Sequence, residues 1–303
     1  MEVMVQGVPM SGHEASPAGA ATVSVVVPTR NRSELAYARA QWALSQPVVR
    51  EAVFVVDGSA DDTATRLQSL ADQDARLRVI VNERNVGPPK AKNIGIRAAT
   101  SEWVFVIDDD DVPSTNLIAE LVQVANEAGA DVVGAPWFNI GEGEDVEDRI
   151  ARAPRLPGGP KLEQPGIFPT SAWTDCVWMH ANALYRRSVF AAAMYDEFYS
   201  GNYYREETDL FVAAARAGHR VVVTDRGYTY MRSRAGGGID RASKARYEYF
   251  VVRNNWYFLR KHGAWLREQG LIRGSGHEQL SLISRRTKPL ARAAGRRLTR
   301  WAR

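Results

Sequence analysis

Cysteine is almost missing: Cys176 is the single one in 303 residues. No intrachain disulfide and no cysteine-based metal site can therefore form, and a reducing, cytoplasmic setting is expected. No stretch approaches the roughly 20 consecutive apolar residues that a membrane-spanning helix needs. Met1 to Ala21 has no basic start followed by an apolar core, so a secretory signal is not expected. The Gly, Pro, Ser and Ala content of this stretch reads as a flexible tail. No Gly-x-Gly-x-x-Gly follows the first apolar run and no P-loop is present. Neither a dinucleotide cofactor nor an ATP-hydrolysing motor is therefore indicated.

The charge is unevenly placed. Residues 285–303 carry eight Lys and Arg and no acid; taking that +8 from the total of +4 leaves −4 for the rest. An acidic body argues against a nucleic-acid partner, whose binding face is usually basic. The basic stretch, with Leu290, Leu298 and Trp301 on its apolar side, is a candidate contact with the anionic inner face of a membrane. A solvated terminus is the competing reading. A homodimer is an assembly open to such a chain.

What the chain does have is Val104-Phe-Val-Ile-Asp-Asp-Asp-Asp-Val-Pro113. An apolar run ended by a turn signal reads as a strand buried on both faces. Four carboxylates cannot continue it, because burying them unpaired is too costly. The strand must end at Asp108, and Asp108 to Asp111 repel one another unless a cation sits among them. Oxygen ligands favour Mg2+ or Mn2+.

The rest of the first half alternates strands and helices. Strands are predicted at 23–27, 52–56, 77–81, 103–107 and 131–135. Helices are predicted after an N-cap at Ser33, after a Ser59/Asp62 capping box, over 90–99, and from Ser114 to Ala128. This order predicts an α/β fold with a doubly wound, mostly parallel sheet and helices on both faces. The loops Pro28–Arg32, Asp57–Ser59 and Asp108–Asp111 would then share one crevice at the strands' carboxyl ends.

In the second half, 139–172 is rich in Pro, Gly and acids and is predicted as a long loop. A strand and turn follow over 174–187, and a short helix over 188–194. A helix over 205–218 starts with acids and ends in Gly. Then come a strand at 220–224, a glycine-rich loop over 226–240 and an aromatic helix over 242–261.

Five segments together resemble the family 2 glycosyltransferases of GT-A fold. They are Val-Val-Val-Pro-Thr-Arg-Asn-Arg (25–32), Val-Asp-Gly-Ser (56–59), Asn-Val-Gly-Pro-Pro-Lys-Ala-Lys-Asn-Ile-Gly (85–95), Ile-Asp-Asp-Asp-Asp-Val-Pro (107–113) and Arg-Glu-Glu-Thr-Asp-Leu (205–210). The match covers about 22–240. It implies a tail at 1–21, a GT-A domain at 22–240 and a helical C-terminal extension at 241–303. Within the domain, 22–138 would hold the nucleotide and 139–240 the acceptor.

The resemblance implies an inverting, metal-dependent transfer from a nucleotide-sugar, a UDP- or dTDP-sugar, to an acceptor hydroxyl. The acceptor would be a glycan, a lipid-linked glycan or a small natural product. Pro28, Thr29 and Arg30 would line the nucleotide pocket, and Asp57 would read the base. Lys92, where the family usually has arginine, would neutralise phosphate, with Asn93 beside it. Asp108 and Asp110 fit the family's Asp-x-Asp element: Asp110 would ligate Mn2+ or Mg2+, Asp108 would contact the ribose or the metal through water, and Asp109 would lie with them at the donor. Glu207 is the favoured base and Asp209 the alternative; Glu206 completes that acidic element. An acid that only complements the helix N-terminus is expected for at least one of the three.

No histidine follows the second acidic element, in Thr229-Tyr-Met-Arg-Ser-Arg-Ala-Gly-Gly-Gly. Arg232 or Arg234 would hold the diphosphate instead. His180 and His219 are the nearest histidines. Trp173, Trp178 and Tyr185 are either core or sugar-stacking residues. A catalytically silent nucleotide-sugar-binding scaffold is the rival reading. A sugar nucleotidyltransferase is another, but it would want a glycine-rich loop after the first strand.

Overall fold

The computed structural model describes residues 21–157, 161, 166–179, 182–232 and 243–286. The first half runs β1 (Val23–Thr29), α1 (Ser33–Ser45), β2 (Val49–Asp57), α2 (Thr63–Ala71), β3 (Leu77–Asn82), α3 (Pro88–Ala98) and β4 (Trp103–Val106). Next come β5 (Val112–Pro113), α4 (Leu117–Ala128), β6 (Val132–Gly134), β7 (Trp137–Ile140) and α5 (Val146–Ala151). Then follow β8 (Arg155–Leu156), β9 (Phe168–Pro169), β10 (Trp173–Asp175), β11 (Ala183–Arg186) and a 3-10 turn at Arg187–Ala191. The last elements are α6 (Glu206–Arg216), β12 (Val221–Thr224), β13 (Thr229–Arg232) and α7 (Lys244–Glu268). Residues 275–286 are again helical.

Eight strands form the main sheet in the order β10-β12-β6-β11-β4-β1-β2-β3. β1 lies parallel to both β2 and β4, and β12 lies parallel to β6. Only β10 and β11 run against their neighbours. Every residue of β1 is buried, as a β-branched run covered on both faces requires. Val23, Val25 and Val27 pack with Ala36, Ala40, Leu67 and Leu121 on one face. Val26 and Val53 pack with Ile96, Leu210 and Phe211 on the other. A third cluster, including Trp178, Val212, Phe258 and Leu266, fixes α7 to α6.

Gly95 in α3 touches the sheet. A Cβ there would lie 2.5 Å from Val26 Cγ1 and 3.2 Å from Val55 Cγ2. Gly95→Ala is therefore expected to cost about 1–3 kcal/mol by overpacking, read as a lower urea midpoint with an unchanged slope.

Several local expectations change. The N-cap of α1 is Arg32, without a side-chain cap, rather than Ser33. The Ser59/Asp62 box does not form: Ser59 Oγ accepts from the Asn31 amide at 3.0 Å, and Asp61 accepts from the Thr63 amide at 3.1 Å. Tertiary contact between two loops has outcompeted a local cap. α4 begins at Leu117, because Ser114 Oγ accepts from the Tyr228 amide instead. The stretch predicted as a loop over 139–172 holds β8, β9 and α5, the last capped by Asp145. β13 lies inside the predicted loop over 226–240, paired with β5 and β7. These strands are two to four residues long, too short to show a period in sequence. α7 runs on to Glu268.

Candidate active site

The loops after β1 and β2 are stitched together first. The Ala60 amide donates to Asn31 Oδ1 at 2.7 Å, returning the Asn31–Ser59 bond. Asn31 adopts φ 51° to do so, a conformation that asparagine tolerates. Gly58, with φ 63°, crosses so close to Asn85 that a Cβ would lie 2.3 Å from its amide nitrogen.

Asp57 is buried at the end of β2. Its Oδ1 accepts from Asn82 Nδ2 and the Val86 amide, and its Oδ2 from the Gly87 amide, all at 2.9 Å. Its visible work is to hold the loop entering α3. Pro28 and Thr29 are buried at the end of β1, and Arg30 is exposed beside them.

The four aspartates after β4 alternate. The side chains of Asp108 and Asp110 are 39% and 25% exposed, whereas Asp109 and Asp111 are buried. Asp109 accepts from Thr29 Oγ1 at 2.7 Å and pairs with Arg32, which also reaches Asp110 at 2.8 Å. Burial pushes the Asp109 carboxyl up to about 6 against the pull of Arg32. Asp111 accepts from Trp137 Nε1 and Asn182 Nδ2, both at 2.7 Å, and Arg39 donates to its carbonyl. Burial, and then Asp108, raise its pKa.

α6 brings the second acidic element to the same place. Lys92, 1% exposed on α3, lies 3.1 Å from Asp108, 2.9 Å from Glu206 and 3.7 Å from Glu207. Burial works against its charge, but these carboxylates hold its pKa well above the usual lysine value. Glu206 is buried, and its Oε2 has no hydrogen-bond partner among the described residues. The side chain of Glu207 is 28% exposed. Its pKa is raised by burial first, then by Asp108, Glu206 and Asp111, while Lys92 opposes. Burial, and then Asp108, also raise Asp110.

Two expectations are redirected by burial. Lys92 is an internal cation beside three carboxylates, Asp108, Glu206 and Glu207. Asn93 is closed off as well: its side chain donates to the Tyr195 carbonyl at 2.8 Å and accepts from the Tyr195 amide at 3.1 Å. Asp209 is fully buried. It accepts from Tyr199 Oη at 2.9 Å and Lys261 Nζ at 2.7 Å. Arg216 Nη1 lies 3.0 Å from His262 Nδ1, which leaves Nε2–H to donate to Asp209 at 2.8 Å. This network ties α6 to α7.

Trp178 and Tyr185 are core residues, and Trp173 is partly buried against the first core cluster. His219 sits 3.4 Å from Asp131. Arg232 ends β13 over the Tyr230 ring. Arg234 and His180 lie outside the described residues. Arg32 is the site residue that sequence reasoning left in the background, although it closes the first quoted segment. Tyr203 is another: its hydroxyl is 2.9 Å from where a Gly87 Cβ would be, and its φ of 54° is unusual for an aromatic residue.

Among the described residues no three His, Cys, Asp or Glu form a metal cage by themselves. Magnesium, however, is usually held by one or two carboxylates plus substrate phosphates. Asp108 and Asp110 are two such open carboxylates. The acids around them outnumber Lys92 and Arg32, so a divalent cation fits this donor set.

The family description Glycosyl transferase family 2 matches residues 24–193. The glycosyltransferase GlyG of Streptococcus pneumoniae is 34% identical over 123 residues, 40% of this chain and 41% of that protein. EpsJ of Bacillus subtilis, named as a glycosyltransferase, is 28% identical over 69% of this chain and 60% of its own length. A Campylobacter jejuni GalNAc(5)-diNAcBac-PP-undecaprenol beta-1,3-glucosyltransferase is 35% identical over 37% of each chain. The chain thus spans about 40–60% of the length of these curated relatives. Among solved structures, GalNAc-T7 with UDP, GalNAc and Mn2+ superposes with TM-score 0.58 at 16% identity, over 77% of this chain and 48% of that one. Staphylococcus aureus TarS with UDP-GlcNAc gives 0.56 at 20%, over 78% and 66%. At these identities the likeness is one of fold, the GT-A arrangement. With more than half of its length matched by the family description, the chain belongs to glycosyl transferase family 2.

Proposed function

We propose that this protein is an inverting glycosyltransferase that moves a sugar from a nucleotide-sugar, a UDP- or dTDP-sugar, to an acceptor hydroxyl with the help of a divalent cation. One observation carries the reading: Lys92 lies within ion-pair distance of both Asp108, from the loop after β4, and Glu207, from α6. The donor's leaving group and the acceptor's proton can then be handled side by side.

Glu207 is the proposed base. Its carboxylate takes the acceptor hydroxyl proton as that oxygen attacks the anomeric carbon, and the nucleoside diphosphate departs from the opposite face, inverting the configuration. Asp209 is the weaker candidate, since its carboxylate is already occupied by Tyr199, Lys261 and His262. Asp110, with Asp108 beside it, would hold Mn2+ or Mg2+. When bound, such an ion offsets the charge that builds on the departing diphosphate. Asp57, Pro28, Thr29 and Arg30 would frame the nucleotide, and Arg32 would hold the acidic loop in place.

The test is a thermal-shift and turnover screen of UDP- and dTDP-sugars with manganese or EDTA. A true donor at 100 times its Kd stabilises by about 2.7 kcal/mol. Manganese-dependent stabilisation and donor cleavage are expected, and both should vanish in Asp110→Asn without loss of fold. Full activity in EDTA or in Asp110→Asn removes the cation from the mechanism.

A further inference from the structure

α7 carries a face that none of the chemistry above uses. Arg246, Tyr249, Arg253, Trp256, Arg260 and Arg267 follow at spacings of 3, 4, 3, 4 and 7 residues. Such spacing keeps them on a single stripe of the helix. Tyr249 and Trp256 are 61% and 51% exposed, and Arg246, Arg260 and Arg267 are exposed between and around them. The helix has two acids, Glu248 and Glu268, and neither belongs to the stripe. Large aromatics are unusual in open water, and here they lie among exposed arginines such as Arg260, 5.5 Å from the Trp256 ring, while Arg253 is half-buried and donates to Ser200 Oγ.

We propose that this stripe docks the protein on an anionic lipid surface, with Tyr249 and Trp256 at headgroup depth and the arginines on lipid phosphates. Amphipathic aromatic rings favour that depth, and cations near it are drawn by anionic headgroups. Two observations favour this occupant. The first is charge: a second copy would bring arginine against arginine, whereas an anionic surface meets the exposed cations Arg246, Arg260 and Arg267. The second is where the chain goes next. Arg286, the last described residue, pairs with Glu248, so the described chain ends at the amino-terminal part of the helix that carries the stripe. The segment that follows, 287–303, holds six Lys and Arg, Leu290, Leu298 and Trp301, and no acid. No helix among the described residues is long and apolar enough to cross a membrane, so contact would be peripheral. Docking of this kind suits an acceptor anchored in the same surface, a point that rests on the transfer reading above.

The experiment is sedimentation of the full chain with phosphatidylcholine vesicles, with and without phosphatidylglycerol. Binding is expected only with phosphatidylglycerol, and Tyr249→Ser with Trp256→Ser should weaken it about tenfold or more. Arg260→Gln with Arg267→Gln is a second variant, exposed enough to spare the fold, and should weaken binding similarly. Donor turnover with a soluble acceptor should stay unchanged in both, which keeps this test separate from the transfer reading. Wild-type-like binding by both variants would assign any membrane contact to 287–303 and overturn the proposal. So would absence of binding to anionic vesicles, or a dimer that the serine variant dissociates.

Discussion

Replacing Glu207, the proposed base, with glutamine is expected to lower kcat by about 10²–10⁴-fold while changing donor affinity little. Glutamine keeps the size and the hydrogen-bonding oxygen but cannot accept the proton. The group removed acts in the step, not in holding the nucleotide. Single-turnover rates together with donor binding, followed by the thermal shift, separate the two effects. If Asp209→Asn is inactive with normal stability while Glu207→Gln remains active, the assignment moves to Asp209.

The raised pKa of Glu207 adds a pH signature. Burial, and then Asp108 and Glu206, disfavour its charged form. In the free enzyme kcat/KM should therefore rise with pH along an acid limb displaced above the ordinary carboxylate range, and Glu207→Gln should erase that limb. The stability sign is equally definite. A carboxyl whose folded pKa lies above its unfolded one stabilises at low pH and loses that contribution as pH rises through the folded value. Glu207→Gln is thus expected to be at least as stable as wild type at pH 8. Its loss of rate would not reflect unfolding.

Lys92→Met is expected to destabilise the protein by about 3–5 kcal/mol near neutral pH. The ammonium is 1% exposed and shared among Asp108, Glu206 and Glu207. Methionine fills the volume and leaves three carboxylates facing one another without a cation. The penalty should shrink towards pH 5, where carboxyls of raised pKa take up protons and stop repelling. Urea unfolding at pH 8 and pH 5 measures this. A loss that is equal at both pH values would make Lys92 a packing residue. Lys92→Arg keeps the charge and should retain more stability than Lys92→Met.

Periodicity read the sheet and its helices well where elements are long. β1 and β2 are β-branched and covered on both faces, so their signal is continuous. It failed at β8, β9 and β13, which are held by pairing with distant partners and not by their own composition. The alternation within the four aspartates was partly legible. Asp108 and Asp110 were singled out by the resemblance to known motifs, and they are the two carboxylates with open side chains. Their separation from Asp109 and Asp111 comes from Thr29, Arg32, Trp137 and Asn182, none adjacent in sequence.

Sequence alone determined that strands of β-branched residues must end where carboxylates begin, because charge cannot be buried unpaired. It thereby determined the class of fold and the end of the sheet at which chemistry must lie. Tertiary structure alone decided what each polar residue does there. It turned Lys92 inward as the cation between two acidic elements. It occupied Asp57 and Asn93 with backbone amides and carbonyls, and it enclosed Asp209 with Lys261 and His262 while leaving Glu207 open to the crevice. The physical reason is burial: residue type sets which protons and charges are available, and only packing sets which of them still meet solvent and substrate.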